Sequence, residues 1–234
     1  MDDGDLRWSK AVPMGAPPPD PLLKAPQQDR SKRTLERLLD AAEELLRTGG
    51  PAALTVPAVA AAARSSVGSF YARFPDKGAL LRTLHERACE QTIATTDAAL
   101  DPARWQGVPT AELVRGFVAF AVRVFTERRP MMLAFSAELA SDPGFARRRA
   151  RCAAEIARAL RTLLLERRAS IGHPDPQRAI EMSLRLVTGV LEQRNGLEAG
   201  GLPETAIPDD ALTAELTRAV LGYLDVRVDG RGST

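Results

Sequence analysis

Apolar residues recur at intervals of three and four positions along most of this chain, which is the spacing of one face of an α-helix. The first such stripe contains Leu35, Leu38, Ala42 and Leu45. It is followed by Gly49-Gly50-Pro51, where a left-handed glycine and a proline predict the end of a helix. No segment shows the two-residue alternation of a half-buried strand, so the pattern predicts an all-α fold.

Prolines and glycines divide the rest of the chain into further helices. The breaks lie at Asp101-Pro102, at Asp142-Pro143, at Gly172 with Pro174, and at Gly200-Gly201 with Pro203. The predicted helices run through residues 76–100, 113–125, 131–135, 145–168, 177–197 and 210–226. The helix at 113–125 is apolar nearly all round, so we expect it to lie in the centre of the fold.

The bulk composition is that of an ordinary globular protein. The chain has 234 residues, 44% of them hydrophobic, and a formal net charge of +2 at pH 7. It is not a polycation, so any nucleic-acid site must come from a local concentration of charge. The two cysteines, Cys89 and Cys152, lack metal-ligand spacing, and we interpret them as free thiols in a reducing compartment.

The ends of the chain predict tails rather than helices. Residues 1–28 are rich in proline, which has no backbone N–H, and predict a disordered tail; residues 228–234 predict a flexible one. The N-terminus lacks the apolar stretch of a signal peptide, and no uncharged run is long enough to span a bilayer. We therefore expect a cytoplasmic protein without membrane contact.

Residues suited to catalysis are scarce. His85 and His173 are interpreted as lone histidines with no carboxylate or cysteine at metal-ligand spacing. No nucleophile elbow, Cys–His signature or phosphate-binding glycine loop occurs. The arginine run at 147–151 is interpreted as a solvated helix face. We predict no metal, no cofactor and no enzyme activity.

The segment from Thr55 to Leu81 carries the strongest functional signal. It predicts two short helices joined by a tight turn and a third helix that begins at Asp76-Lys77, which is how a major-groove DNA reader is built. Thr55 and Ser66 are suited to cap the two short helices, and Ser66 would then aim free N–H groups at a phosphate.

Between Ser66 and Arg73 the residue types fit contact with DNA. Small side chains allow the backbone to approach the floor of the groove: Val67, Gly68 and Ser69. Phe70 and Phe74 share a face and are expected to anchor the helix, which leaves the Tyr71 hydroxyl for a phosphate. Lys77 would contact a phosphate at the start of the next helix. A basic cluster ahead of the first helix can follow the DNA backbone: Arg30, Lys32 and Arg33.

From Ser31 to Leu81 the chain resembles the TetR (tetracycline-repressor) family of bacterial transcriptional regulators. The matching motifs are Leu54-Thr55-Val56, the alanine-rich 58–63, the run from Ser66 to Tyr71, and Phe74-Pro75-Asp76-Lys77 with Leu80-Leu81. The resemblance implies a three-helix DNA-binding domain at 29–78 and a larger helical domain at 79–227 that binds an effector and dimerises. It implies phosphate contacts at Thr55, Ser66, Tyr71 and Lys77, and base contacts at or near Val67, Gly68, Ser69 and Arg73.

Two positions depart from the family pattern. Arg64-Ser65 stands where the family usually has Gly-Val, and Gly78 stands where it often has Glu. Glycine is favoured where φ is positive, so Arg64 is expected to cost turn stability, and its side chain is also a candidate for a phosphate contact.

The rest of the chain offers a candidate effector pocket and a candidate interface. Apolar bulk is concentrated in a set that fits either a pocket or ordinary core: Trp105, Phe117, Phe120, Met131, Met132 and Phe135. The resemblance favours a pocket. The segments Gln177 to Leu197 and Asp210 to Val226 are apolar on more than one stripe, and the second stripe predicts a homodimer.

Together these features predict a ligand-responsive repressor. It would bind double-stranded DNA at a near-palindromic operator as a homodimer, and a small, apolar effector would release it. The alternative is a helical small-molecule-binding or scaffold protein that does not bind DNA.

Overall fold

The structure, a computed structural model, describes residues 27–140, 142–199 and 207–226. This part of the chain contains nine α-helices. They are α1 (Gln27–Ala53), α2 (Val56–Ala62), α3 (Val67–Tyr71), α4 (Lys77–Ala99), α5 (Thr110–Glu127), α6 (Arg129–Leu139), α7 (Pro143–Leu165), α8 (Pro176–Ala199) and α9 (Asp209–Leu224). Short 3-10 turns lie at Pro102–Trp105 and Arg168–Ser170. The predicted tails and the predicted break at Gly200-Gly201 with Pro203 lie outside the described residues, except that residues 27 and 28 begin α1.

The all-α prediction is confirmed. The described residues contain no strand, and their one β-type pair is an isolated bridge between Ile171 and Val226. The regular path of α1 breaks at Gly50, where φ is 65°, as the glycine-proline signal predicted. Within the same described part of the chain, no helix is both long and apolar enough to cross a membrane.

The described residues divide into two compact units. The N-terminal unit contains residues 27–91, 128–140 and 142–150, and the C-terminal unit contains 92–127, 151–199 and 207–226. In the N-terminal unit α1 packs against α2 and α6, and α2 packs against α3. Its core contains Leu38, Leu46, Phe70, Leu81 and Phe135.

Arg87 ties α4 to α1 inside the N-terminal unit. Its guanidinium donates hydrogen bonds to Asp40 (2.6 Å), Glu43 (2.8 Å) and Glu36 (3.3 Å). Burial works against the charged form of Arg87, but its hydrogen bond with Asp40 and the charges of Asp40 and Glu43 outweigh that cost. The pKa of Arg87 is therefore raised above its ordinary value, and the side chain stays a cation that fixes the helix carrying Lys77.

His85 does have a cysteine partner, so its interpretation as a lone histidine is wrong. His85 Nε2 lies 3.6 Å from Cys89 Sγ, one helical turn along α4, and the imidazole packs against the rings of Phe135 and Phe145. The two residues are four positions apart, which places both groups on one helix face and is a signal present in the sequence. No group of three or more candidate metal ligands occurs among the described residues, and Cys89 and Cys152 are not joined by a disulfide bond.

The C-terminal unit is organised around α5. Leu113, Val118 and Val122 are buried on this helix, which packs against α8 and α9. Trp105 is also buried, and its indole N–H donates to the carbonyl of Ala99 (2.7 Å). The expectation that the apolar helix at 113–125 is central therefore holds within this unit.

Candidate nucleic-acid interface

Thr55 begins the first of the two short helices. Its backbone is extended, and its Oγ1 accepts a hydrogen bond from the N–H of Ala58 (3.3 Å). Pro57 lies in the first turn, where a missing N–H leaves no helical hydrogen bond unmade. Thr55 is therefore the N-cap of α2, as predicted, while Val59 and Ala60 bury the inner side of the helix.

A serine cap and two phenylalanines hold the short helix α3. Ser66 Oγ accepts a hydrogen bond from the Ser69 N–H (3.0 Å) and donates one to the Ser69 hydroxyl (3.0 Å). Phe70 is fully buried, and its ring centroid lies 5.4 Å from that of Phe74. A helix of 5 residues has little stability of its own, so these contacts fix its position.

The other side of α3 is open. Val67 is 41% exposed and Tyr71 is 55% exposed, which is unusual for side chains of this size. A Cβ atom at Gly68 would meet only the Ser66 hydroxyl, at 3.8 Å, so the space over this glycine is free. The face that carries the predicted base-reading residues is therefore accessible to another molecule.

Helix α4 begins beside this face. Asp76 Oδ1 accepts a hydrogen bond from the N–H of Ala79 (2.6 Å) and lies 3.7 Å from Arg82 Nη2. Lys77 is the first residue of the helix and is half-buried. The aspartate therefore caps the helix, and the lysine lies at its positive end, where a phosphate is favoured.

The turn between α2 and α3 is left-handed at Arg64. Its φ is 49°, and its N–H donates to the carbonyl of Ala61 (3.0 Å). The N–H of Ser65 donates to the carbonyl of Ala60 (2.8 Å). This is the conformation for which a glycine is suited, so the arginine is strained in the way the sequence predicted.

An open groove of about 650 Å³ lies beside this turn within the N-terminal unit. Its walls come from α1, the turn and α3, and are formed by Arg30, Thr34, Arg37, Arg64, Ser65, Ser66, Ser69 and Arg73. Four of these residues are arginines and none is acidic, so the groove concentrates positive charge in a chain whose net charge is only +2.

The groove adds three residues to those predicted from sequence, namely Thr34, Arg37 and Ser65. Arg37 also donates a hydrogen bond to Thr34 Oγ1 (3.4 Å), which in turn donates to the carbonyl of Arg30 (3.0 Å). Residues 30, 34 and 37 are spaced by four and three positions, so they share one face of α1. This helical spacing was the sequence signal for Thr34 and Arg37. Both were missed because the predicted basic cluster ended at Arg33, one helical turn too early.

Of the other predicted basic residues, Arg73 lines the groove and Lys32 and Arg33 do not. Arg73 is half-buried, and one of its guanidinium nitrogens donates to the carbonyl of Ser69 (3.0 Å). This contact holds the arginine along α3. Lys32 and Arg33 are exposed on the first turns of α1, outside the groove lining.

The six candidate pocket residues do not form one cluster. Trp105, Phe117 and Phe120 are buried in the core of the C-terminal unit. Met131 and Phe135 belong to the core of the N-terminal unit, and Met132 is half-buried.

A narrow apolar cavity lies elsewhere in the C-terminal unit. Its volume is about 10 Å³, and its lining is Val114, Phe117, Leu160, Leu164, Ile180, Ser183, Leu184, Val187 and Val220. Phe117 is the one predicted pocket residue in this lining. The hydroxyl of Ser183 is buried and has no hydrogen-bond partner in the described part of the chain.

Comparison with known families gives two matches along the chain. A family model for bacterial regulatory proteins of the tetR family matches residues 38–84. A model for the tetracyclin repressor-like C-terminal domain matches residues 109–224, so the two matches together cover well over half of the chain. No curated protein matches in sequence.

Several solved structures share the fold at low sequence identity. A candidate TetR-family transcriptional regulator from Mesorhizobium loti MAFF303099 is 16% identical, with a TM-score of 0.63 over 84% of this chain and 97% of that one. The fatty acid degradation regulator FadR from Bacillus halodurans is 16% identical, with a TM-score of 0.61 over 83% and 97%. The transcriptional regulator FadR from Bacillus subtilis, in complex with stearoyl-CoA, is 18% identical, with a TM-score of 0.53 over 81% and 96%. With both family models matching and the fold shared, the chain belongs to the TetR family of bacterial regulatory proteins.

Proposed function

We propose that this protein is a ligand-responsive transcriptional repressor that binds a near-palindromic operator as a homodimer. Residues 29–78 bind DNA, and residues 79–227 bind the effector and dimerise. The observation that carries the proposal is the exposed face of α3, with Val67, Gly68 and Tyr71 open beside a groove of four arginines. Such a face reads base edges while the basic residues around it hold the phosphates.

The charge distribution supports DNA over an uncharged partner. A basic surface gains affinity when its arginines and lysines neutralise phosphates and release the counterions condensed on the duplex. The chain as a whole is nearly neutral, so the positive groove beside α3 directs DNA to one place.

Exposed apolar residues on the last two helices support the homodimer. Met182 on α8 is 47% exposed, and Tyr223 on α9 is 40% exposed. Gly189 and Gly196 follow Met182 at steps of seven, so all three share one face of α8, and a Cβ at either glycine would have no described side chain within 4 Å. Glycine weakens a helix interior by about 1 kcal/mol relative to alanine. The close approach of a second copy accounts for that cost.

The effector site that we propose is the apolar cavity in the C-terminal unit. At about 10 Å³ it holds little more than one water, so a ligand must bind an arrangement in which the helices stand further apart. A ligand that prefers this arrangement shifts the protein away from the DNA-binding state. The unpartnered hydroxyl of Ser183 would meet a polar group on an otherwise apolar molecule. The Bacillus subtilis regulator was solved in complex with stearoyl-CoA, whose acyl chain is apolar.

Selection from random DNA tests the proposed function. We expect the full-length protein to enrich a near-palindromic sequence, because a twofold-symmetric dimer presents two α3 helices. Ser69→Ala should alter the enriched bases more than it alters affinity for random duplex. Equal losses of affinity for the selected operator and for random duplex would show that Ser69 reads no base. If no fragment is retarded even at low salt, the chain is the helical ligand-binding protein that does not bind DNA.

Lys77→Ala should weaken binding to every sequence. Loss of one phosphate contact is expected to flatten the dependence of log K on log salt by about 0.9. The measurement is a salt titration of operator and random duplex by fluorescence anisotropy. Arg47→Ala is the control, because Arg47 is exposed on α1 and paired with Glu44 (2.6 Å). Equal slopes for wild type and the lysine variant would remove Lys77 from the phosphate contacts.

A further inference from the structure

Arg64 is one of two non-glycine residues with positive φ in the described part of the chain, the other being Asp225, and φ is 49° at both. The left-handed conformation crowds the Cβ of any L residue, whereas aspartate tolerates it better than arginine does. Arg64 therefore occupies its turn at a cost that glycine would avoid.

Asp225 has a structural reason for its position that Arg64 lacks. Asp225 packs against Gly172, and its carbonyl accepts a hydrogen bond from the Gly172 N–H (2.9 Å), beside the bridge that joins Ile171 to Val226. The Arg64 side chain, by contrast, is exposed and makes no hydrogen bond or ion pair with any described residue. The two hydrogen bonds that close its turn use backbone atoms only, so a glycine would keep both of them.

The surroundings of the Arg64 side chain add a second cost. It lines the groove together with Arg30, Arg37 and Arg73, and no carboxylate lies among the lining residues. Like charges gathered in this way repel one another in the free protein. Both costs lower the stability of the free folded protein. A phosphate in the groove would leave the backbone strain in place, but it would relieve the repulsion and give the arginine side chain a partner.

We propose that Arg64 binds a backbone phosphate of the duplex from the turn between α2 and α3, with Arg30 and Arg37 lining the same groove from α1. This site is additional to the phosphate contacts at Thr55, Ser66, Tyr71 and Lys77, and the chain keeps it at the expense of its own stability. The inference rests on the proposed DNA-binding function.

Three variants of Arg64 test whether this arginine lowers the stability of the protein and binds a phosphate. Arg64→Gly removes strain and charge together, so its unfolding temperature should rise by roughly 2 °C while its affinity for the selected operator falls about tenfold. Its salt dependence should flatten by about 0.9. Arg64→Asn tolerates the same φ without charge and should behave likewise. Arg64→Lys keeps the charge and should retain the wild-type salt dependence without any gain in stability.

The outcomes separate this inference from the proposed function. If wild type binds its operator and Arg64→Gly matches it in affinity and salt dependence, the phosphate site does not exist and the proposed function stands. The inference is also overturned if Arg64→Gly unfolds at a lower temperature than wild type, because no strain would then have been released. If wild type retards no duplex at any salt concentration, the proposed function fails, and this inference fails with it.

Discussion

Phe70→Ala is expected to lower the free energy of unfolding by about 3–5 kcal/mol, the usual cost of truncating a buried phenylalanine. Phe70 is fully buried in the N-terminal core and packs against Phe74. It belongs to a helix of 5 residues that has no second buried side chain of its own. Without this ring α3 loses its attachment, so specific DNA binding should disappear together with the stability.

The neighbouring residue supplies the control for that experiment. Tyr71 lies on the same helix and is 55% exposed, with its ring against the edge of Phe70 (5.4 Å). Tyr71→Phe keeps the ring and removes only the hydroxyl, so stability should change by less than about 0.5 kcal/mol. Operator affinity should nevertheless fall, because the proposed phosphate contact is lost.

Urea denaturation followed by circular dichroism, together with operator titration, distinguishes the two variants. An unchanged midpoint for Phe70→Ala would show that the ring does not hold α3. A stability loss in Tyr71→Phe comparable to that of Phe70→Ala would show that the hydroxyl, rather than the ring, is the structural contact. Either result would contradict the division of α3 into a buried side and a reading side.

The parts of the fold that follow local rules could be predicted from the sequence. Capping by Thr55 and Ser66, the break at Gly50 and the inward side of Phe70 depend on residues within a few positions of each other. Their hydrogen bonds and dihedral angles follow from the residue types, largely independent of what packs around them. The positive φ at Arg64 was expected for a different reason, because the family resemblance places a glycine at this position of the turn.

The basic groove could be predicted only in part, because it depends on tertiary packing. Arg37 and Arg64 are far apart in sequence, and only the packing of α1 against α2, and of α2 against α3, places them around one groove. The sequence predicted the charges at Arg30 and Arg64 singly, without relating either of them to Arg37. A side-chain cluster formed by three helices leaves no periodic signal in any one of them.

The candidate pocket residues were grouped by their closeness in sequence, but the structure separates them. Phe117 and Met131 are close in sequence, and both are apolar and buried. The chain turns between them, from the end of α5 at Glu127 to the start of α6 at Arg129, and each residue joins a different core. Hydrophobicity predicts burial, but it does not say which of two cores a side chain enters. The assignment of these residues to an effector site stays a prediction.

Met182→Glu combined with Gly189→Glu is expected to convert the proposed dimer to a monomer and to reduce operator affinity by about 10²–10⁴-fold. Both positions lie on the exposed face of α8, and a Cβ at Gly189 has no described side chain within 4 Å, so we expect a single protomer to accommodate the new side chains. A symmetric interface would bring four new glutamates, two from each copy, into one apolar contact, and buried like charges oppose association. A monomer engages one half-site and loses the second, intramolecular binding event.

Light scattering and operator titration measure the two effects. Wild type should have a mass twice 25.3 kDa, and the double variant a mass of 25.3 kDa with unchanged helical content. Arg158→Glu is the matched control, because it changes the net charge by the same amount at an exposed position on α7, where Arg158 pairs with Glu155. A double variant that remains dimeric would place the interface elsewhere. A monomeric wild type would rule out recognition of the operator by the two α3 helices of a dimer. A monomeric variant with undiminished affinity would mean that one α3 helix recognises the operator alone.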